Sequence, residues 1–170
     1  MLFQFGRVDG YKYGDENHQF RTNVQNIEDG STSEYIPITS SGKTYDKNEI
    51  LDLKDDVAHV NMGGKWRMPT HTQYSELFNN TTHEVKTING VKGMLFTSKI
   101  NNKRLFVPFA GYWYNDNYYN ARSSADVWSS QVHPSDAYSA CRLHCFSSGD
   151  AYISYCSRSC AFSVRGVFKK

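Results

Sequence analysis

The feature that most constrains the fold is a change to two-residue periodicity from Glu84 onward. Asn89-Gly90 separates the alternating residues Val85 and Thr87 from Val91 and Met94, and Asn-Gly is typical of tight hairpin turns. Asn101-Asn102 predicts a second hairpin, and Pro108 should end a strand or lie at a sheet edge because it has no amide hydrogen. Further strands, separated by loops, are predicted at residues 127–130, 137–146, 151–155 and 162–168.

Helix signals occur only earlier in the chain. Thr70 and Gln73 form a capping-box pattern, and Tyr74, Leu77 and Phe78 follow at helical spacing, so a helix is predicted from about His71 to Phe78 with Trp66 packed under it. A shorter helix should begin after the acidic residues 55–56 and end at Gly63-Gly64. Residues 2–5 should form a short strand, and residues 9–47 a long ordered loop with a short strand. Helices early and strands late predict an α+β fold.

Size and charge narrow the class of protein. The 170 residues fit a single domain, and 19 basic against 17 acidic side chains give a net charge of +2. This balance makes nucleic acid an unfavoured partner. No apolar run approaches the roughly 18 residues that a membrane span needs. The first residues lack a basic segment followed by an apolar one, so no secretory signal is expected in this chain.

Residues 111–163 contain no Lys, Glu or Met, although Lys and Glu are plentiful before them. This segment is instead rich in Tyr, Ser and Asn with scattered Arg. Such a composition is typical of a binding surface, because Tyr offers a large amphipathic contact area with few torsions to immobilise. The open alternative is a Tyr-rich sheet with polar loops and no partner.

The chain carries no recognisable catalytic motif. It has no phosphate-binding glycine loop, no H-E-x-x-H and no G-x-S-x-G, and its six His residues lack ligand spacing. No catalytic residue, metal or cofactor is therefore expected. All four cysteines occur as two C-x3-C pairs, Cys141/Cys145 and Cys156/Cys160. In a strand this spacing separates side chains by about 13 Å, so cross-strand disulfides and free thiols both remain open, while zinc is less favoured.

Several sequence blocks resemble the FISUMP major paralogous domain family. They are Trp66-Arg67-Met68-Pro69-Thr70, residues 105–111 (LFVPFAG), Trp128-Ser129-Ser130, residues 163–167 (SVRGV) and residues 3–7 (FQFGR). The chain departs from the family pattern at Gly166, where a Cys is usual, and at Val127, where a Tyr is usual. The resemblance implies a C-type lectin-like fold of the formylglycine-generating-enzyme branch, spanning residues 1–170 as one domain.

Many relatives in that family are variable proteins of diversity-generating retroelements, in which adenines near the 3′ end of a gene are randomised. A randomised AAC codon becomes N-N-C, which never encodes Lys, Glu, Gln, Met or Trp. The composition of residues 111–163 fits this rule, with Trp113, Trp128 and Gln131 as fixed positions. The resemblance thus implies a hypervariable receptor-binding protein of a bacterial surface or a phage tail tip, with a protein or glycan ligand. The cysteines themselves could be products of randomisation.

The expected ligand contacts all lie in this variable segment. They are Tyr112, Tyr114, Asn115, Asp116, Asn117, Tyr118, Tyr119, Tyr138, Arg142, His144, Tyr152, Tyr155 and Arg158. Tyr rings should supply most of the affinity, and Arg and His should fix polar groups. The expected framework positions are Trp66, Leu77, Phe106, Pro108, Trp128, Phe162, Val164 and Val167.

Two other functions remain open. The first is a formylglycine-generating-type enzyme, which oxidises a substrate cysteine with a copper-binding cysteine pair. Residues 156–160 (CSRSC) are similar to that site but have one residue too few between the thiols. The second is a carbohydrate-binding surface domain that is not diversified.

Overall fold

The computed structural model describes residues 1–6, 8, 10, 50–114, 117–136 and 139–169. Most of this part consists of antiparallel sheets with two short helices, so the predicted α+β class is confirmed at that level. In chain order the elements are β1 (Phe3–Gln4), α1 (Val57–Met62), β2 (Trp66–Arg67), α2 (His71–Asn80), β3 (Thr81–Ile88), β4 (Val91–Ser98), β5 (Arg104–Pro108), β6 (Tyr112–Tyr114), β7 (Asn117–Tyr119), β8 (Ser124–Val132), β9 (Ser139–Phe146), β10 (Ala151–Ser157), β11 (Ala161–Phe162) and β12 (Val167–Phe168). The long loop predicted for residues 9–47 lies almost wholly outside the described residues.

The two helices begin where their capping signals predict. The Gln73 amide donates to Thr70 Oγ1 (3.3 Å) and the Thr70 amide donates to Gln73 Oε1 (3.0 Å), so the capping box is complete. Helix α2 continues two residues beyond the predicted end at Phe78. Helix α1 is capped by Asp56, which accepts from the His59 amide (3.0 Å), and ends at Gly63 with φ 69°.

Both predicted hairpins are present in the sheet β3-β4-β5. Asn89 and Gly90 have φ angles of 50° and 78°, which match a type I′ turn between β3 and β4. The β4–β5 connection contains Asn102 at φ 58°, and Pro108 is the last residue of β5. Pro108 ends an edge strand, as predicted, and its side chain is exposed.

Strand β8 joins the remaining sheets. It is the edge of the sheet β10-β9-β8, and isolated parallel bridges link it to Gly111 before β6 and to Ser163 after β11. Those two segments belong to the sheet β1-β11-β6-β7. The chain pairs with β6 at Ala161, with β8 at Ser163 and with β2 from Val167 onward. Residues 161–168 therefore contain two short strands, β11 and β12, and the single strand predicted for residues 162–168 is wrong. Trp66 contacts Phe168 of β12, with ring centroids 5.3 Å apart.

The two faces of β8 support two apolar clusters. Trp128, fully buried, packs on Phe162 (ring centroids 4.2 Å apart) and Phe5 (5.5 Å) on one side. Val127 packs with Leu143, and with Met94 and Phe96 of β4, on the other side. The expected framework roles of Trp128 and Phe162 are thus confirmed by their burial. Among the other expected framework residues, Trp66, Leu77, Phe106, Val164 and Val167 are half-buried.

No helix in the described ranges has both the length and the apolar character needed to cross a membrane.

Candidate ligand-binding surface

Three exposed tyrosines lie on the hairpin formed by β6 and β7. Tyr114, Tyr118 and Tyr119 are 37%, 37% and 39% exposed, and we call these three residues the hairpin patch. Tyr114 and Tyr119 belong to one face of the hairpin, whereas Tyr118, which opposes Trp113, belongs to the other face. Asn117 is also exposed on this hairpin, whereas Asn115 and Asp116, at its tip, lie outside the described residues.

Tyr112 connects the hairpin patch to the core. It is half-buried, stacks on Tyr119 (centroids 5.4 Å apart, planes 23° apart) and meets Phe162 edge-on (5.8 Å). On the next cross-strand pair, Trp113 lies 6.1 Å from Tyr118, whose hydroxyl donates to the Ala110 carbonyl. The exposed rings are therefore backed by rings that rest on the buried framework.

Gly111 is the residue immediately before the β6–β7 hairpin and connects it to β8. Its amide donates to the Ser124 carbonyl (2.9 Å), and its φ of 67° lies in the left-handed region. A Cβ at this position would lie 2.2 Å from the Tyr119 carbonyl oxygen. Glycine is thus required both for the backbone angle and for the close approach of β7.

A second group of expected contacts lies on one face of the sheet β10-β9-β8. Directly opposed residues of antiparallel strands project to the same side, and Tyr152 opposes His144 while Ser154 opposes Arg142. We call Arg142, Tyr152 and Ser154 the sheet patch. Tyr152 is 46% exposed.

Tyr155 belongs to the opposite face of the same strand. It opposes Cys141, which points to the side that packs against α2, and its ring lies 4.2 Å from that of His133. Tyr155 is 40% exposed, so it is accessible but does not share a surface with Tyr152. Tyr138 lies outside the described residues.

Arg142 is fixed from both sides. Its Nη1 donates to Asp126 Oδ1, its Nε donates to Ser154 Oγ (3.1 Å), and its guanidinium lies 5.2 Å from the centroid of Phe162. Burial raises the pKa of Asp126 to about 6, against the opposing effects of Arg142 and Ser124. At neutral pH Asp126 is therefore a carboxylate paired with the Arg142 cation.

The buried ring of Phe162 lies between Tyr112, which supports the hairpin patch, and Arg142 of the sheet patch. Tyr112 and Arg142 both contact this ring. Burial and the nearby thiol of Cys160 raise the pKa of Tyr112; Asp126 adds to the rise and Arg142 opposes it.

His144 and Arg158 do not fit the expectation that they contact a ligand directly. His144 is buried, with its ring centroid 3.9 Å from that of Phe146 and its Nε2 3.7 Å from Asp126 Oδ1. Burial, followed by the Arg142 charge, lowers the pKa of His144 to about 4, so its ring is neutral at pH 7. Arg158 is 3% exposed because the turn after β10 directs its guanidinium over the ring of Phe5 (5.4 Å).

An open pocket of about 540 Å³ adjoins the sheet patch at the β9–β10 turn. Phe146, Tyr152 and His83 contribute rings to its wall, and Ser148 donates to Asp150 Oδ2 (2.7 Å) at its rim. Aromatic faces beside hydroxyl and carboxylate groups suit a ligand with both apolar and hydrogen-bonding surface.

All four cysteines are free thiols, so no cross-strand disulfide links β9 to β10. Cys141 and Cys145 lie buried along β9, as the strand interpretation of their spacing predicts. Cys156 and Cys160 lie on either side of a turn, with their sulfur atoms 3.7 Å apart. In the described part of the chain, no three His, Cys, Asp or Glu side chains come together in a way that could hold a metal ion.

Asp126, Ser154 and Phe146 were not predicted from the sequence, although they orient Arg142 and cover His144. One signal for Asp126 is available in retrospect. Ser124, Asp126 and Trp128 alternate with the apolar residues Ala125 and Val127 along β8, so the carboxylate shares the Trp128 face.

Comparison with known proteins adds no assignment to this geometry. No protein-family model, curated protein or solved structure matches the chain.

Proposed function

We propose that this protein is a non-catalytic binding protein that presents the hairpin patch and the sheet patch to a protein or glycan on a cell surface. The observation that carries the proposal is the contrast within residues 111–163. Tyr114, Tyr118, Tyr119 and Tyr152 are 37–46% exposed, whereas β8, which lies behind them, is almost wholly buried.

The side chains of the two patches suit recognition. Tyrosine rings that are already stacked or packed lose little freedom when a partner covers them. Arg142 is held by Asp126 and Ser154 before any ligand arrives, so its direction is fixed in advance. The Arg142 side chain is only 14% exposed. We further propose that this exposed part of Arg142 supplies polar specificity and that the tyrosines supply contact area.

The proposed scaffold is the C-type lectin-like fold of the FISUMP family, and the proposed origin of the surface is a diversity-generating retroelement. The supporting observations are the sequence blocks and the absence of Lys, Glu and Met from residues 111–163. The proposed location is a bacterial surface or a phage tail tip.

The test of the origin is to sequence the DNA beside the gene. We expect a reverse-transcriptase gene and a near-copy of codons 111–163 that differs from the gene only where the copy has adenine. A neighbourhood without such a copy would contradict diversification and would leave a fixed carbohydrate-binding surface as the alternative.

The test of the surface compares Tyr152→Ala with Tyr155→Ala on a glycan array and on an array of bacterial surface proteins. The two residues lie on one strand with similar exposure, but on opposite faces. We expect Tyr152→Ala to weaken binding at least about fivefold, the factor that corresponds to about 1 kcal/mol lost at an interface tyrosine. Tyr155→Ala is the matched control and should bind like the wild type.

Equal loss of binding in both variants would contradict the assignment of the surface to the Arg142 side of the sheet. Loss of binding that merely follows unfolding is identified by circular dichroism. Because both side chains are substantially exposed, each variant should retain the stability of the wild type to within about 1 kcal/mol.

A second candidate, a copper-dependent cysteine oxidase, is favoured by one observation, the 3.7 Å separation of the Cys156 and Cys160 sulfur atoms. Two thiolates at this spacing could bind copper(I), which prefers soft sulfur ligands. This candidate requires stoichiometric copper(I) binding that is lost in Cys156→Ser, measured by titration against a copper(I) chelator. Weak or non-stoichiometric binding would remove it.

A further inference from the structure

Cys156 and Cys160 lie at a corner of the framework that other contacts hold in place. Cys156 is near the end of β10, Cys160 immediately precedes β11, and their sulfur atoms are 3.7 Å apart. The Cys160 amide donates to the Ser157 carbonyl (3.1 Å), which closes the turn between them. Gln4 Nε2 also donates to the Ser159 carbonyl (2.7 Å), which ties this turn to β1.

The two thiols differ in access and in acidity. Cys156 is half-buried, whereas Cys160 is 5% exposed. The hydrogen bond from Cys160 lowers the pKa of Cys156 to about 7; burial opposes this effect and the Arg142 guanidinium assists it. Cys160 retains the shared proton, so its own pKa is raised. Cys156 is therefore the thiol that is both reachable and readily ionised, the two conditions for nucleophilic attack.

The other two cysteines offer no comparable pair. Cys141 and Cys145 are fully buried, and their spacing along one strand separates the side chains by about 13 Å. Burial raises the pKa of Cys145 to about 12 and also raises that of Cys141. Neither thiol can act readily as a nucleophile or reach a partner thiol along β9.

We propose that Cys156 and Cys160 form a reversible redox pair, which closes to a disulfide by exchange with a small-molecule disulfide such as oxidised glutathione. The sulfur atoms need to approach from 3.7 Å to about 2 Å, which is a small displacement for two side chains that flank one turn. The proposal does not depend on the binding function, since it concerns only the chemistry of these two thiols.

The exchange proceeds in two steps. The Cys156 thiolate attacks one sulfur of oxidised glutathione, forms a mixed disulfide and expels one glutathione thiolate, which takes up a proton. Cys160 then gives up its proton, attacks the Cys156 sulfur and expels the second glutathione. The protein loses two hydrogen atoms and one molecule of oxidised glutathione becomes two of reduced glutathione.

The position of the pair links it to both patches. Cys156 follows Tyr155 on β10 and belongs, with Tyr112, to the residues that pack on the Trp128 and Phe162 cluster. β10 carries the sheet patch, and β11 pairs with β6 of the hairpin. The disulfide would therefore crosslink the turn between β10, which carries the sheet patch, and β11, which pairs with the strand β6 of the hairpin.

The test counts free thiols in the whole protein. The protein is reduced with dithiothreitol, desalted without oxygen, and incubated with oxidised glutathione. It is then denatured and alkylated with iodoacetamide, and the adducts are counted and located by mass spectrometry. We expect four adducts before oxidation and two after it, located on Cys141 and Cys145, with full return to four after dithiothreitol. Four adducts after oxidation, or a disulfide that includes Cys141 or Cys145, would overturn the proposal.

Three variants separate the two steps. Cys160→Ser should stop at the mixed disulfide and retain one glutathione on Cys156, whereas Cys156→Ser should gain neither glutathione nor a disulfide. Cys141→Ser is the matched control and should oxidise like the wild type. Oxidation of Cys156→Ser at the wild-type rate would also overturn the proposal. The thiol count on the wild-type protein stands alone if a variant fails to fold.

Discussion

Asp126 and Arg142 form the charged pair on which the sheet patch rests. A buried carboxylate is costly unless a cation and hydrogen bonds compensate for its lost hydration, and Arg142 and Ser124 supply both. The same contacts hold the Arg142 guanidinium above Phe162. One pair thus lowers the cost of burying Asp126 and keeps the Arg142 side chain in one orientation.

His144, beside this pair, should make stability depend on pH. Its pKa is lowered from 6.5 to about 4, so its contribution is fully present above pH 6.5 and is lost as the pH falls through 4. Relative to His144→Gln, the wild type should lose up to about 3 kcal/mol of unfolding free energy across this range. Urea unfolding of both proteins at several pH values measures the difference.

The raised pKa of Asp126 acts in the opposite direction, since its contribution is present at low pH and is lost as the pH rises through about 6. This effect is common to the wild type and His144→Gln, so the comparison between them isolates the histidine. If the difference in unfolding free energy between the wild type and His144→Gln stayed constant from neutral pH to pH 4, the lowered pKa of His144 would be contradicted.

The sequence predicted which residue types the candidate surface contains, but it did not predict which of those residues are buried. Arg142, His144 and Arg158 were expected to contact a ligand together with the tyrosines of residues 111–163, yet His144 and Arg158 are buried. Composition cannot separate them, because exposure on a strand depends on which neighbour lies opposite. His144 of β9 lies directly opposite the buried Asp126 of β8, and the pairing register of these two strands is not visible in the composition.

At the scale of the element, the β6–β7 hairpin depends on Gly111. An alanine there would combine an unfavourable backbone angle with a Cβ placed 2.2 Å from the Tyr119 carbonyl. We expect Gly111→Ala to lower the free energy of unfolding by at least about 2 kcal/mol and to increase amide hydrogen exchange in β6 and β7.

Gly90→Ala is the matched control for this prediction. Gly90 also has a positive φ, 78°, but a Cβ there would meet no atom within 4 Å. Its replacement should cost only about 1 kcal/mol from backbone strain. Equal losses in the two variants would show that the approach of β7 to Gly111 does not determine the effect.

Elements with local signals were predictable. The capping box of α2 and the Asn-Gly turn between β3 and β4 depend on residues within a few positions of one another. The division of residues 161–168 into β11 and β12 depends instead on pairing with Trp113 and with β2, far away in the chain. No local pattern distinguishes two such short strands from one longer strand.

On the scale of the whole molecule, Trp128 ties distant parts of the chain together. It packs on Phe5 and Phe162, and its Nε1 donates to the Phe3 carbonyl (2.9 Å). We expect Trp128→Ala to lower the free energy of unfolding by about 3–5 kcal/mol, because it removes a fully buried ring and leaves a cavity.

Trp66→Ala is the control for Trp128→Ala. Trp66 is only half-buried and packs on Phe168 near the end of the chain. Its loss should cost clearly less, as measured by guanidinium unfolding of both variants. A cost at Trp66 equal to that at Trp128 would contradict the central role assigned to β8.

The burial of β8 on both faces has a consequence for protein engineering. A library of affinity reagents built on this chain would hold β8 constant and vary exposed positions of the β6–β7 hairpin and of β10, where large side chains already face solvent. The exposed positions of β10 are Tyr152 on one face and Tyr155 on the other, so varying them separately would change two different surfaces. A single scaffold could then be selected against two targets at once, one on each side of the sheet.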